Sequence, residues 1–159
     1  MTDVTNISVL FEMARVGTLP ANFDKWDLSD EDGWTIAHMA AKYCNLPVGF
    51  DKWDLADDDG WTVAHEAVKH IRLPDNFHKW GIKDSDGDTV AHVAAYYGHL
   101  PVDFDRWHLS NKDGRTVAHV AADRGLLQDG FNRWDLADEE GLTVRDVYNN
   151  YNARSQKDS

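Results

Sequence analysis

Apolar positions along this chain return in one phase five times, 27 residues apart. A Leu-Pro pair leads to a Phe and, three residues on, a Trp: Leu19-Pro20 with Phe23 and Trp26, Leu46-Pro47 with Phe50 and Trp53, Leu73-Pro74 with Phe77 and Trp80, Leu100-Pro101 with Phe104 and Trp107, and Leu127-Gln128 with Phe131 and Trp134. A period in this range marks an array, in which one short supersecondary unit stacks on the next to bury a face it cannot bury alone. The period predicts repeats at 19–45, 46–72, 73–99 and 100–126. An N-terminal cap over 1–18, a C-terminal repeat and cap over 127–152 and a mobile tail at 153–159 complete a single solenoid domain.

Within a unit the polar and small residues set the elements. Thr62 to His70 predicts a short helix with Thr62 as N-cap, because a hydroxyl there can accept from a free N–H of the first turn. Ala64, Ala67 and Val68 then share one face, small enough to let neighbouring helices approach closely. Glycines at the C-terminal cap position, Gly17, Gly98 and Gly125, suit a left-handed cap. Cys44 and Ile71 hold that place in two other units, at a cost of about 1 kcal/mol where the left-handed conformation is kept. The Leu-Pro pair then predicts a second helix of about two turns. An Asp- and Gly-rich stretch follows, in which Asp30, Asp57 and Asp84 cap turns and Gly33, Gly60, Gly87, Gly114 and Gly141 supply positive φ. The expected fold is all-α: stacked helix-turn-helix units joined by short extended turns.

Four stretches, Asp30 to Cys44 (DEDGWTIAHMAAKYC), Asp57 to Ile71 (DDDGWTVAHEAVKHI), Asp84 to Gly98 (DSDGDTVAHVAAYYG) and Asn111 to Gly125 (NKDGRTVAHVAADRG), resemble the ankyrin repeat hallmark Asp-x-x-Gly-x-Thr-Pro-Leu-His-x-Ala-Ala-x-x-Gly. A partial unit from Ser8 to Gly17 and a degenerate one from Asp138 extend the resemblance over nearly the whole chain. The chain departs from the pattern in having Ile or Val for the proline, and in a unit of 27 residues against the family's about 33. Phe11 and Asp146 stand where internal units have His, as capping repeats with one solvent-facing side should differ. The resemblance implies a solenoid that binds a protein partner through its turn tips and concave helix face.

Charge narrows the partner. With 28 acidic against 16 basic residues the net charge is -12, which repels phosphate backbones and anionic membrane surfaces at long range. No direct nucleic-acid binding and no membrane association are expected. The same charge motivates a second reading, an acidic decoy that occupies the cleft of a nucleic-acid-binding protein. Cys44 is the single cysteine, which excludes an internal disulfide and suits a reducing compartment. No apolar run reaches the length of a signal-peptide core or a membrane span. A cytoplasmic monomer is expected, with delivery into another cell by an unrecognised signal left open.

His38, His65, His92 and His119 recur at the period. Equivalent residues of stacked units lie roughly 8 to 10 Å apart, too far to share one zinc ion at about 2 Å. Each follows its Thr by three residues, so an exchange of the capping-box type is the expected role. His65-Glu66-Ala67-Val68-Lys69-His70 is one residue too long for the zincin helix, since a helix brings i and i+4 together. In a calcium-loop reading of the acidic turns, the first ligand position falls on Leu28, Leu55, Ile82 or Leu109. No catalytic residue, metal or cofactor is therefore expected, nor an enzyme.

Function should sit at positions that vary between units. After the turn glycine the series runs Trp34, Trp61, Asp88, Arg115, Leu142; near the end of the first helix it includes Tyr43, His70, Tyr96, Tyr97 and Arg124. Aromatic and Arg side chains dominate binding energy at interfaces. The expected partner-binding set is Trp34, Trp61, Tyr43, His70, Asp88, Tyr96, Tyr97, Arg115 and Arg124, facing an unidentified protein.

Overall fold

The computed structural model describes residues 6–157. Among them the regular structure is helical, with no strand: α1 (Ile7–Val16), α2 (Ile36–Lys42), α3 (Val63–Val68), α4 (Val90–Tyr97), α5 (Val117–Asp123) and α6 (Val144–Ser155). The chain divides into two compact units, Met1–Leu73 and Pro74–Ser159. In the first, α1 packs on α2 and α2 on α3; in the second, α4 packs on α5 and α5 on α6. Helices thus meet their neighbours in chain order within each unit. The tail segment expected at 153–159 begins inside α6, and its last two residues lie outside the described part, as do the first five of the N-terminal cap.

Helices of six to eight residues, such as α2 to α5, are too short to persist on their own, because isolated helices below about 12 residues are marginal in water. Two things hold them. The first is burial of a narrow apolar face: Ile36, Ala37, Ala40 and Ala41 of α2 and Val63, Ala64, Ala67 and Val68 of α3 are buried, and Val90, Ala91, Ala94 and Ala95 of α4 match them in the second unit. The second is a complete set of acceptors for the free N–H groups of the first turn. In α2, Ile36 N–H donates to the Leu28 carbonyl (2.9 Å), Ala37 N–H to that of Trp26 (3.2 Å), His38 N–H to Thr35 Oγ1 (3.3 Å) and Met39 N–H to the Thr35 carbonyl (3.1 Å). The strand-like entry that supplies the first two acceptors is fixed by an isolated antiparallel bridge between Ser29 and Thr35. The bridge recurs as Ala56 with Thr62, Lys83 with Thr89, Ser110 with Thr116 and Ala137 with Thr143.

The second helix expected after each Leu-Pro does not form. Two successive tight turns replace it, closed in the first repeat by Phe23 N–H to the Pro20 carbonyl (2.9 Å) and Leu28 N–H to the Lys25 carbonyl (3.4 Å), and by equivalent bonds in every later one. The reason is the residue before each Phe: Asn22, Gly49, Asn76, Asp103 and Gly130 are turn formers that compete with helix propagation. Gly49 and Gly130 take φ of 82° and 80° there, which no helix interior accommodates. The turns still serve packing. Each Phe lies edge-to-face on its own Trp, and that Trp on the next Phe, giving Phe23–Trp26–Phe50–Trp53 in the first unit and Phe77–Trp80–Phe104–Trp107–Phe131–Trp134–Tyr148 in the second. Such contacts favour the ring quadrupoles, by about 0.5–1.5 kcal/mol a pair beyond area burial.

Helix ends follow the caps. Gly17 and Gly98 are left-handed caps, and Gly125 has φ of 67°. Cys44 keeps the left-handed conformation without being glycine, at φ 59°, whereas Ile71 abandons it. After α3 the chain instead closes with His70 and Ile71 N–H both donating to the Ala67 carbonyl. Asn45 reaches back across the joint, its Nδ2 donating to the carbonyls of Ala14 and Arg15 at 3.0 and 2.9 Å.

Candidate functional site

The recurrent residues are spent on structure. In every internal repeat the Thr hydroxyl and the His imidazole form a capping box: for Thr35 and His38, the Thr35 N–H donates to Nδ1 (3.2 Å), the hydroxyl stands 2.7 Å from the same nitrogen, and His38 N–H donates back to Oγ1. Since Nδ1 faces two donors it acts as acceptor, which leaves the ring proton on Nε2. That Nε2 lies 2.9 Å from the carbonyl of Trp61 in the following repeat; His92 meets the Arg115 carbonyl and His119 the Leu142 carbonyl in the same way. Burial holds the pKa of His38 and His92 below the ordinary imidazole value, although the Trp61 and Arg115 carbonyls and nearby carboxylates work the other way. In α6, Asp146 replaces the imidazole and accepts from Thr143 instead. Both ring nitrogens of these three histidines are therefore engaged by the protein.

The turns before each helix are gripped equally closely. Asp57 Oδ1 accepts from the N–H groups of Asp59 and Trp61 at 3.1 and 2.8 Å, and Asp30, Asp84, Asn111 and Asp138 repeat the pattern. The tip residue that varies between repeats is consequently held by its backbone. Trp61 donates its N–H to Asp57 Oδ1, while its carbonyl accepts from Asp57 N–H at 3.0 Å and from His38 Nε2. Arg115 and Leu142 are held alike, by Asn111 with His92 and by Asp138 with His119. An indole, a guanidinium and a leucine side chain are thus carried on the same backbone frame. The turn glycines let successive tips close up: a Cβ on Gly33 would meet Asp58 N at 2.8 Å, and one on Gly114 would meet Glu139 N at 2.8 Å.

In the first unit the predicted residues fall around two indoles. Trp34 is half-buried, its ring 4.7 Å from that of His38 and tilted 32° to it; Trp61 lies likewise 5.0 Å from His65. Each indole thus rests on its own repeat's imidazole. Trp61 Nε1 also donates to Glu66 Oε2 at 3.2 Å, and Lys69 Nζ stands 5.7 Å from the indole. Glu66 is buried, with Lys69 Nζ at 3.0 Å from Oε2 and His70 Nε2 at 3.3 Å from Oε1. Burial works to raise its pKa, but Lys69, His70 and the Trp61 N–H together hold it below the usual carboxylate value. Trp61 and His70 are therefore joined through a residue that sequence reasoning treated only as part of a false metal signature. The available signal was register: Glu66 stands where α2, α4, α5 and α6 carry Met39, Val93, Val120 and Val147. Tyr43 is exposed and sits apart from this group, with Arg15 at 5.9 Å from its ring.

In the second unit the residues form a different surface. Tyr96 and Tyr97 are exposed, their rings 5.0 Å apart, and the Arg124 guanidinium lies 4.2 Å over Tyr96. Arg115 Nη2 pairs with Asp123 Oδ2 at 3.2 Å, and Arg154 Nη2 takes the other oxygen at 2.7 Å. Burial pushes the Asp123 pKa up, but Arg154 and Arg115 outweigh it and hold the carboxylate below its ordinary value. Asp88 points elsewhere and accepts from Asn111 Nδ2 at 2.9 Å. Arg154 was not foreseen, because its partner is 31 residues away in sequence. No helix among the described residues is long and apolar enough to cross a membrane. Comparison with known proteins found no family model that matches the chain and no curated protein significantly similar to it.

Proposed function

We propose that the chain is a non-catalytic protein-interaction module, a repeat solenoid of the ankyrin-like kind that recognises a partner protein through its turn tips and helix ends. One contrast carries this reading. Recurrent side chains such as His38 and Asp57 are hydrogen-bonded within the scaffold, whereas Trp34, Trp61, Tyr96, Tyr97 and Arg124, at positions that vary, reach the surface. Each helix and turn is fixed by local bonds before any partner arrives, so binding would cost little ordering of the backbone. The surface positions are Trp34, Trp61, Tyr43 and His70 in the first unit, and Asp88, Tyr96, Tyr97, Arg115 and Arg124 in the second.

The acidic-decoy reading gains less support, because in four of the five repeats one carboxylate, that of Asp30, Asp57, Asp84 or Asp138, is turned onto backbone N–H groups of its own turn. Affinity capture from extracts of the source cell separates the two. Capture by the wild type that is lost in a Trp34→Ala, Trp61→Ala, Tyr97→Ala variant and persists at physiological salt is the expected result. Equal recovery by both proteins contradicts the surface assignment, and recovery that collapses steeply with salt favours the decoy.

A further inference from the structure

The net charge of the chain is -12, yet the second unit pairs two guanidiniums, those of Arg115 and Arg154, with the carboxylate of Asp123, and the next residue, Arg124, lays a third on the ring of Tyr96. Positive charge near helix C-termini is often explained by the helix dipole. That covers Arg124, the C-terminal cap of α5, and Arg154 in the last turn of α6. It does not cover Arg115, which sits at a turn tip 8 residues earlier than Asp123 in sequence and places its Nη2 at 3.2 Å from Asp123 Oδ2. One carboxylate leaves the group with surplus positive charge, and Arg115 Nε has neither solvent nor a hydrogen-bond partner. The outer edges stay open: the Arg154 side chain is 64% exposed, that of Arg115 41%, and Arg124 is exposed as well.

Beside these cations lie the two exposed tyrosines. Tyr96 supports the Arg124 guanidinium on its face, which orders a long side chain without neutralising it. Tyr97, set edge-on to Tyr96, offers flat apolar area with little rotamer freedom to lose. A patch of this composition matches a segment that alternates carboxylates with apolar groups.

Building on the interaction-module reading, we propose that the face formed by Tyr96, Tyr97, Arg115, Arg124 and Arg154 docks an acidic peptide segment of the partner protein. Carboxylates of the segment pair with Arg124 and Arg154, whose planar donors favour two-point contact with carboxylate. The intervening side chains lie on Tyr96 and Tyr97. Asp123 holds Arg115 and Arg154 in place, so the guanidiniums are positioned before the segment arrives. The overall negative charge of the chain opposes long polyanions, which favours a short acidic peptide over a nucleic acid.

Fluorescence anisotropy tests this with a labelled pool of randomised peptides carrying Glu at alternate positions, against a matched pool carrying Lys and a labelled single-stranded oligonucleotide. The wild type is expected to bind the Glu pool alone. Arg124→Glu and Arg154→Glu should each weaken that binding about tenfold or more, Arg124→Lys should weaken it less, and thermal melts should show all variants folded. Absence of Glu-pool binding by the wild type, equal binding by folded Arg→Glu variants, or preference for the oligonucleotide would each overturn the proposal. Capture that depends on Trp34, Trp61 and Tyr97 but not on Arg124 or Arg154 would leave the module reading standing and remove only the acidic segment.

Discussion

His38 Nε2 lies 2.9 Å from the carbonyl oxygen of Trp61, so an invariant imidazole of one repeat grips the backbone of a variable residue in the next. The bond asks nothing of the indole. The same relation links His92 to Arg115 and His119 to Leu142, which lets three different side chains stand at one kind of turn tip. Conservation of scaffold and freedom of surface are here two ends of a single hydrogen bond.

Removing a cap should cost more than the side chain's size suggests. In Thr116→Ala, His119 N–H loses its acceptor and His119 Nδ1 loses one of two donors within a buried site. The expected loss is about 1–2 kcal/mol, read as a lower urea midpoint at unchanged slope.

Stability should fall as pH is lowered from neutrality. His38 and His92 have folded-state pKa values below the ordinary 6.5, so the unfolded chain binds protons that the folded one refuses. Their contribution is complete above that value and is lost as pH drops from it towards the depressed folded values. Glu66 and Asp123, whose pKa values are also lowered, add a further loss only below the ordinary carboxylate range. Urea midpoints measured from about pH 8 to about pH 5 should decline; a flat or rising profile would contradict the buried neutral imidazoles.

Two glycines of positive φ should respond differently to alanine. Gly130 has φ of 80° and open space beyond its α-carbon, so Gly130→Ala costs only backbone strain, about 1 kcal/mol. Gly114 has φ of 69° and also the Glu139 backbone at 2.8 Å from a Cβ, so Gly114→Ala should cost about 2 kcal/mol or more. Chemical denaturation of the pair gives the order directly.

Glu66 should be dispensable for folding. Replacing a buried charge by a fitting apolar side chain is often neutral or stabilising, and other repeats carry Met or Val at this register. Glu66→Met is expected to keep stability within about 1 kcal/mol of the wild type while releasing Trp61 and His70. Lys69→Ala, which leaves the carboxylate buried with one partner fewer, should be the more destabilising change in urea melts.

Local chemistry was legible in the amino-acid sequence, and long-range chemistry was not. The Thr–His capping box spans three residues and shows itself in spacing alone; so does the Asp–Gly turn. The missing second helix was readable in Asn22, Gly49, Asn76, Asp103 and Gly130, but the Leu-Pro start and the likeness to longer repeats outweighed that turn signal. The bond from His38 to Trp61 spans 23 residues and that from Arg154 to Asp123 spans 31, and no local pattern encodes either. The nine predicted surface positions resolve into an indole–carboxylate group around Trp61 and His70 in one unit and a tyrosine–arginine group in the other, with Trp34, Tyr43 and Asp88 outside both. Composition at a variable position names candidates; only packing says which of them meet.

Backbone capture of the varied tip, with its side chain left free, is the idea on which the account stands, and comparative urea unfolding of Leu142→Trp and His119→Ala tests it most directly. Leu142→Trp, which gives the last tip the residue of two earlier ones, should leave the unfolding free energy within about 0.5 kcal/mol of the wild type. His119→Ala, which removes one of the two donors to the Leu142 carbonyl and opens the capping box, should lower it by about 2 kcal/mol or more. A Leu142→Trp variant as unstable as His119→Ala would contradict the account.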